Sequence, residues 1–103
     1  MNCDVSTAST YFEALRKFDL SLDGVLTDVG LPDGNGFDVV KHIHQNYPEN
    51  KATIYMYSAF GVEYIQERIG NLPVNGYFGK PFEVYEIENF VKAVFINKKI
   101  VAV

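Results

Sequence analysis

Three residues of this sequence set a reactive side chain just past a short apolar run. Asp28 follows Val25-Leu26-Thr27, Ser58 follows Tyr55-Met56-Tyr57, and Lys80 follows Tyr77-Phe78-Gly79. An acid, a hydroxyl and an ammonium gathered at one edge make a phosphate-handling set. The carboxylate attacks phosphorus, the hydroxyl donates to a phosphoryl oxygen, and the ammonium balances charge. Asp28 is the candidate reactive group, because open α/β sheets carry their ligand chemistry at the carboxyl ends of strands. The loop after it, Gly30-Leu31-Pro32-Asp33-Gly34-Asn35-Gly36, is rich in turn formers. Asn35 reads as the cap of the helix that follows, and Asp33 as a turn acid.

The elements that must position these residues alternate along the chain. Val5-Ser6-Thr7-Ala8 reads as a short strand. Thr10-Tyr11-Phe12-Glu13 reads as a capping box opening a helix to about Phe18, with Phe12, Leu15 and Phe18 on one face. Leu22 to Thr27 is a strand ending at Asp28. Phe37, Val40, Ile43 and Tyr47 mark a second helix, closed by Pro48. Ala52 to Tyr57 is a strand ending at Ser58-Ala59. A third helix covers Val62 to Ile69 and stops at Gly70-Asn71. Tyr77-Phe78-Gly79 is a strand ending at Lys80-Pro81. A fourth helix, Val84 to about Phe95, carries Val84, Ile87, Val91 and Val94 on one side. Lys99 to Val103 reads as a last strand. The alternation β-α-β-α-β-α-β-α-β implies a parallel sheet with helices on both faces.

Composition sets the outer bounds. At 103 residues, 48% hydrophobic and 15% aromatic, the chain has the size of one domain, residues 1–103, and enough apolar residues for a real core. The net charge of −4 and the lack of a Lys/Arg cluster argue against a nucleic-acid partner. The apolar runs are too short for a membrane span, and no signal-peptide pattern opens the chain. The single Cys3 excludes an internal disulfide and fits a cytoplasmic location.

Taken together, the motifs resemble the receiver domain of bacterial two-component response regulators, over residues 5 to 96. Asp28-Val29-Gly30-Leu31-Pro32 followed by Asn35-Gly36 matches the phosphoacceptor motif. Ser58-Ala59 matches the hydroxyl and small residue that close the family's fourth strand. Tyr77 matches the aromatic switch position, and Lys80-Pro81-Phe82 matches the family's Lys-Pro-Phe, whose Lys-Pro bond is commonly cis. Val5, Ala8 and Glu13-Ala14-Leu15 match the second strand and helix.

The resemblance implies a flavodoxin-like, doubly wound parallel sheet with family strand order 2-1-3-4-5. It implies that Asp28 accepts a phosphoryl group from a histidine kinase, a phosphotransfer protein or a small phosphodonor. Mg2+ would bridge the phosphoryl and the Asp28 carboxylate, helped by the backbone carbonyl of Gly30. Ser58 would donate to the phosphoryl group, Lys80 would counter its charge, and Tyr77 would move inward. A downstream protein partner would read the altered surface. Such a chain is a phosphoacceptor signalling domain and not an enzyme, with at most weak autodephosphorylation.

The resemblance begins at the family's second strand, as in a receiver truncated at its N-terminus. The first strand normally lies at the centre of the sheet and ends in an acidic pair that holds Mg2+. Asp4 is the one early acid and lies at the wrong end of its strand. Lys98-Lys99-Ile100-Val101-Ala102-Val103 resembles that missing strand: a basic start, then an apolar run. Residues 99–103 are therefore expected to fill the central slot, in their own chain or in a partner's as a strand-swapped homodimer. The end of that strand would bring Val103 near Asp28.

Two other readings compete. A receiver without the acidic pair acts as a pseudo-receiver, binding a protein without phosphorylation. Leu22-Asp23-Gly24-Val25-Leu26-Thr27-Asp28 also resembles the opening motif of haloacid-dehalogenase-type phosphatases, but Ser21 stands where that motif needs its nucleophilic Asp. His42 and His44, two apart on a helix, point different ways and make no metal pair. Tyr55 and Tyr57 share one strand face and read as packing.

Overall fold

The computed structural model describes residues 4–79 and 84–103. Five strands form one sheet: β1 (Asp4–Thr7), β2 (Gly24–Asp28), β5 (Thr53–Ser58), β6 (Gly76–Gly79) and β7 (Lys99–Ala102). Their order is β1-β7-β2-β5-β6, and every neighbouring pair is parallel. Four helices connect them: α1 (Tyr11–Lys17), α2 (Gly36–Asn46), α3 (Val62–Arg68) and α4 (Val84–Val94). This is the flavodoxin-like α/β architecture.

The last strand lies at the centre. β7 pairs with β1 on one side and β2 on the other, within its own chain. Ile100 and Val101 are fully buried there. A central parallel strand is covered on both faces, so an unbroken apolar run suits the place. The central slot expected for residues 99–103 is filled by β7.

The helices divide unequally between the faces. Ala14 and Phe18 of the α1 segment, Phe37, Val40 and Ile43 of α2, and Ile65 of α3 pack with Val25, Ile54, Met56 and Val101 on one face. On the other, Val91 and Phe95, at the end of α4, pack with Leu26 and Ile100. Beside α4 the sheet is open, leaving a groove of about 1000 Å³ lined by Val5, Leu26, Tyr57, Ile87, Val91 and Ala102.

Two expected helix faces need correction. In α1 the inward stripe is Tyr11, Ala14 and Phe18, while Phe12 is 67% exposed. Spacings of three and four from Ala14 reach Tyr11 and Phe18, so position 12 falls on the outer side of the helix. In α4, Phe95 is buried and Val94 is exposed; the ring beyond the last turn reaches the sheet where the valine cannot. Val84's side chain lies outside the described residues.

A second correction concerns the loop after Asp28. It is a small antiparallel hairpin, β3 (Gly30–Leu31) against β4 (Gly34–Asn35), turning at Pro32-Asp33. Asp33 does more than turn the chain: its carboxylate accepts from the N–H groups of Tyr11 (2.6 Å) and Phe12 (3.2 Å). These are among the orphan donors of α1. Thr10 caps the same helix by accepting from Glu13 N–H at 3.0 Å, and Glu13 reaches back to Ser9 N–H.

Candidate functional site

The carboxyl ends of β2, β5 and β7 meet at one edge of the sheet. Asp28, the last residue of β2, is half-buried. Its main-chain N–H donates to the Val103 main-chain oxygen at 3.1 Å, and Val103 N–H donates to Leu26 O at 2.8 Å. β7 therefore runs up to the candidate reactive residue and ends against its backbone, as expected of residues 99–103. One Asp28 carboxylate oxygen, Oδ1, accepts from Gly30 N–H at 3.1 Å. Thr27 Oγ1 donates to the Asp28 carbonyl at 3.0 Å.

The hairpin and α2 hold the loop beyond. Gly36 N–H donates to Val29 O at 2.9 Å. Asn35 is the N-cap of α2, its side-chain oxygen accepting from Asp38 N–H at 2.9 Å. This cap was legible in the sequence.

Ser58 closes β5, the strand next to β2, one residue past Tyr57, the register partner of Asp28. Its side chain is buried on the three-helix side, where Oγ accepts from Phe60 N–H at 3.0 Å. That bond fixes the hydroxyl oxygen at the mouth of the loop into α3. Tyr77 pairs with Met56 across β5 and β6 and packs, partly buried, on the same side as Ser58. Lys80 and the Lys80–Pro81 bond lie outside the described residues.

Tyr57 was read from sequence as packing, and the structure gives it more to do. In the parallel ladder Tyr57 stands opposite Asp28, so both side chains leave the same face of the sheet. The phenol reaches past β2 and donates to the Val103 oxygen at 3.1 Å. Its ring stacks on Phe78, with centroids 6.0 Å apart and planes 15° apart. Burial pushes the phenol's pKa up to about 12, and the Asp28 charge adds to the rise. Nothing in the residue order fixes that register, so Tyr57 read as packing.

The donor set can be compared with what Mg2+ demands. The ion takes near-octahedral oxygen coordination, commonly with one or two carboxylates and several waters. Among the described residues no group of three or more His, Cys, Asp or Glu side chains converges on a point. Asp28 brings one carboxylate to this edge, and one of its oxygens already accepts from Gly30 N–H. Asp28 is thus the described side chain that would hold such an ion at this edge, with waters completing its coordination.

Known proteins place the fold. The non-phosphorylated HemR receiver domain from Leptospira biflexa is similar at a TM-score of 0.68 and 27% identity, over 86% of this chain and 71% of that one. The receiver domain of a sensor histidine kinase from Pseudomonas aeruginosa PAO1, with a magnesium ion coordinated in its active-site cleft, gives 0.64 and 20%, over 88% and 75%. A LuxR-family two-component response regulator from Aurantimonas sp. SI85-9A1 gives 0.64 and 21%, over 90% and 66%. No curated protein sequence matches significantly. The family model for the response regulator receiver domain matches residues 1–92, and with the parallel sheet and the β2 and β5 termini just described, this chain belongs to the response regulator receiver domain family.

Proposed function

We propose that this chain receives a phosphoryl group on Asp28, from a histidine kinase, a phosphotransfer protein or a small phosphodonor, and passes the change to a protein partner in the cytoplasm. The observation that carries the reading is the register of two adjacent parallel strands. β2 ends on Asp28 and β5 ends on Ser58, one residue past Asp28's partner. A carboxylate and a hydroxyl at one edge supply a nucleophile and a phosphoryl-oxygen donor. Lys80, next along the chain from the end of β6, is assigned the counter-charge. Tyr77, on the same face as Ser58, is assigned the switch.

The step itself is simple. An Asp28 carboxylate oxygen attacks phosphorus, and the bond from phosphorus to the donor's leaving atom breaks. The leaving group departs with the electron pair. Incubation with acetyl phosphate and Mg2+, followed by intact-mass measurement, tests the proposal. Covalent modification that Asp28→Asn abolishes supports it.

A second reading has one observation in its favour. With no metal-capable cluster among the described residues, the fold could serve as a pseudo-receiver that binds its partner without phosphorylation. Unmodified protein in the same incubation, with partner binding unaffected by Asp28→Asn, would favour it over phosphotransfer.

A further inference from the structure

The Tyr57 hydroxyl stands where a donor to a group carried on Asp28 would be placed. Three observations meet there. Asp28 and Tyr57 are register partners on the same face of the sheet. The phenol passes over the strand that carries Asp28 and ends on Val103 O, the atom that also accepts the Asp28 N–H. Tyr57 lines the open groove beside α4, so the ring has space on one side while Phe78 holds the other.

We infer that Tyr57 is a phosphoryl-binding residue of this site, its hydroxyl turning from Val103 O to a phosphoryl oxygen when Asp28 carries one. The inference rests on the phosphoacceptor reading of Asp28.

The chemistry favours the exchange. At 3.1 Å the bond to Val103 is long for an O–H donor, whose usual distance is about 2.7–2.8 Å. A phosphoryl group carries charged oxygens, which accept hydrogen bonds strongly. Val103 O does not go unpaired, because the Asp28 N–H stays on it. The burial that holds the phenol well above the ordinary tyrosine range keeps it protonated, so it stays a donor. Ser58 and Tyr57 sit in succession at the end of β5 and leave opposite faces of the sheet. They would approach the phosphoryl group from its two sides. In the loose transition state of phosphoryl transfer, charge spreads over three equatorial oxygens, so a second donor acts on the step itself.

The test compares wild type with Tyr57→Phe, which keeps the ring against Phe78. Both are incubated with acetyl phosphate and Mg2+, and the modified fraction is followed by intact mass. In parallel, the Cζ resonance of 13C-labelled Tyr57 is recorded before and after modification, and Tm is measured for both proteins. The expected result is uptake slower by about 10-fold in Tyr57→Phe, the loss of one hydrogen bond to a charged group. The Tyr57 resonance should move in wild type, and the two Tm values should agree within a few degrees. Equal uptake by the two proteins overturns the inference and leaves Asp28 as the acceptor. Slower uptake with an unmoved Tyr57 resonance also overturns it, since the hydroxyl then serves the fold alone. Failure of wild type to take up phosphoryl overturns both this inference and the proposed function.

Discussion

Gly36, the first residue of α2, lies against the main chain of Asp28. A Cβ built on Gly36 would run into the Asp28 carbonyl oxygen and would come within 3.1 Å of both Met56 Cε and Thr27 Oγ1. A backbone atom cannot swing aside as a side chain can. Gly36→Ala should therefore push α2 and the end of β2 apart, at a cost of about 1–3 kcal/mol. Chemical denaturation measures that loss. Phosphoryl uptake on Asp28 should fall by more than the folded fraction does. A variant as stable and as reactive as wild type would show that the loop yields freely.

The central strand gives a second expectation. Ile100 is fully exposed to neither solvent nor groove; it is wholly buried between α4 and the sheet. Ile100→Ala should cost about 2–5 kcal/mol in urea unfolding. Removing residues 99–103 should do worse, since β1 and β2 then lose the one strand that joins them. Loss of a cooperative transition in circular dichroism, with aggregation on a sizing column, is expected. A monomeric deletion with a sharp transition would contradict the central role of β7.

Asp33 links the hairpin to α1. Burial alone would raise its pKa, but the N–H groups of Tyr11, Phe12 and Asp33 itself together outweigh burial, and the net position lies below the ordinary value of 3.8. A depressed carboxylate pKa adds stability above the unfolded-state value and loses it as pH falls through the folded-state value. Asp33→Ala should thus lower Tm by a few degrees near neutrality. The gap should close as the pH drops below the usual carboxylate range. A constant difference down to strong acid would mean that the cap acts without its charge.

Tyr57 gives an expectation at the other end of the scale. Burial, and then the Asp28 charge, hold its phenol at about 12 against an ordinary 10.0. A pKa raised on folding contributes stability below the unfolded value and loses it as pH climbs to the folded one. Stability should therefore decline between those two pH values. Asp28→Asn removes one of the two causes, so the Tyr57 Cζ titration should move to lower pH. An unmoved midpoint would show that burial alone sets it.

Much of this arrangement was legible in the residue pattern. The β-α alternation, Asp28 and Ser58 at strand ends, the Asn35 cap and the run Ile100–Val103 all follow from local rules of periodicity and capping. The elements that escaped depend on distant partners. Asp33 caps α1 only because a hairpin carries it across 21 residues, and Pro-Asp-Gly looks the same in any turn. Phe12 is exposed where it was expected inward, and Phe95 takes the buried place expected of Val94, because the inward face of a short helix is set by the sheet it meets. Tyr57 was missed because a strand-face aromatic reads as packing until register sets it opposite Asp28.

The place of β7 also bears on how the chain is made. Strands β1 and β2 are synthesised first, yet their common neighbour is Lys99–Ala102. Until that segment leaves the ribosome, two strands face each other across a gap with their backbone groups unpaired. Contacts between residues nearly a whole chain apart close slowly, and open strand edges invite other chains. The nascent protein is thus vulnerable until β7 has emerged, and Asp28 acquires its backbone partner only then.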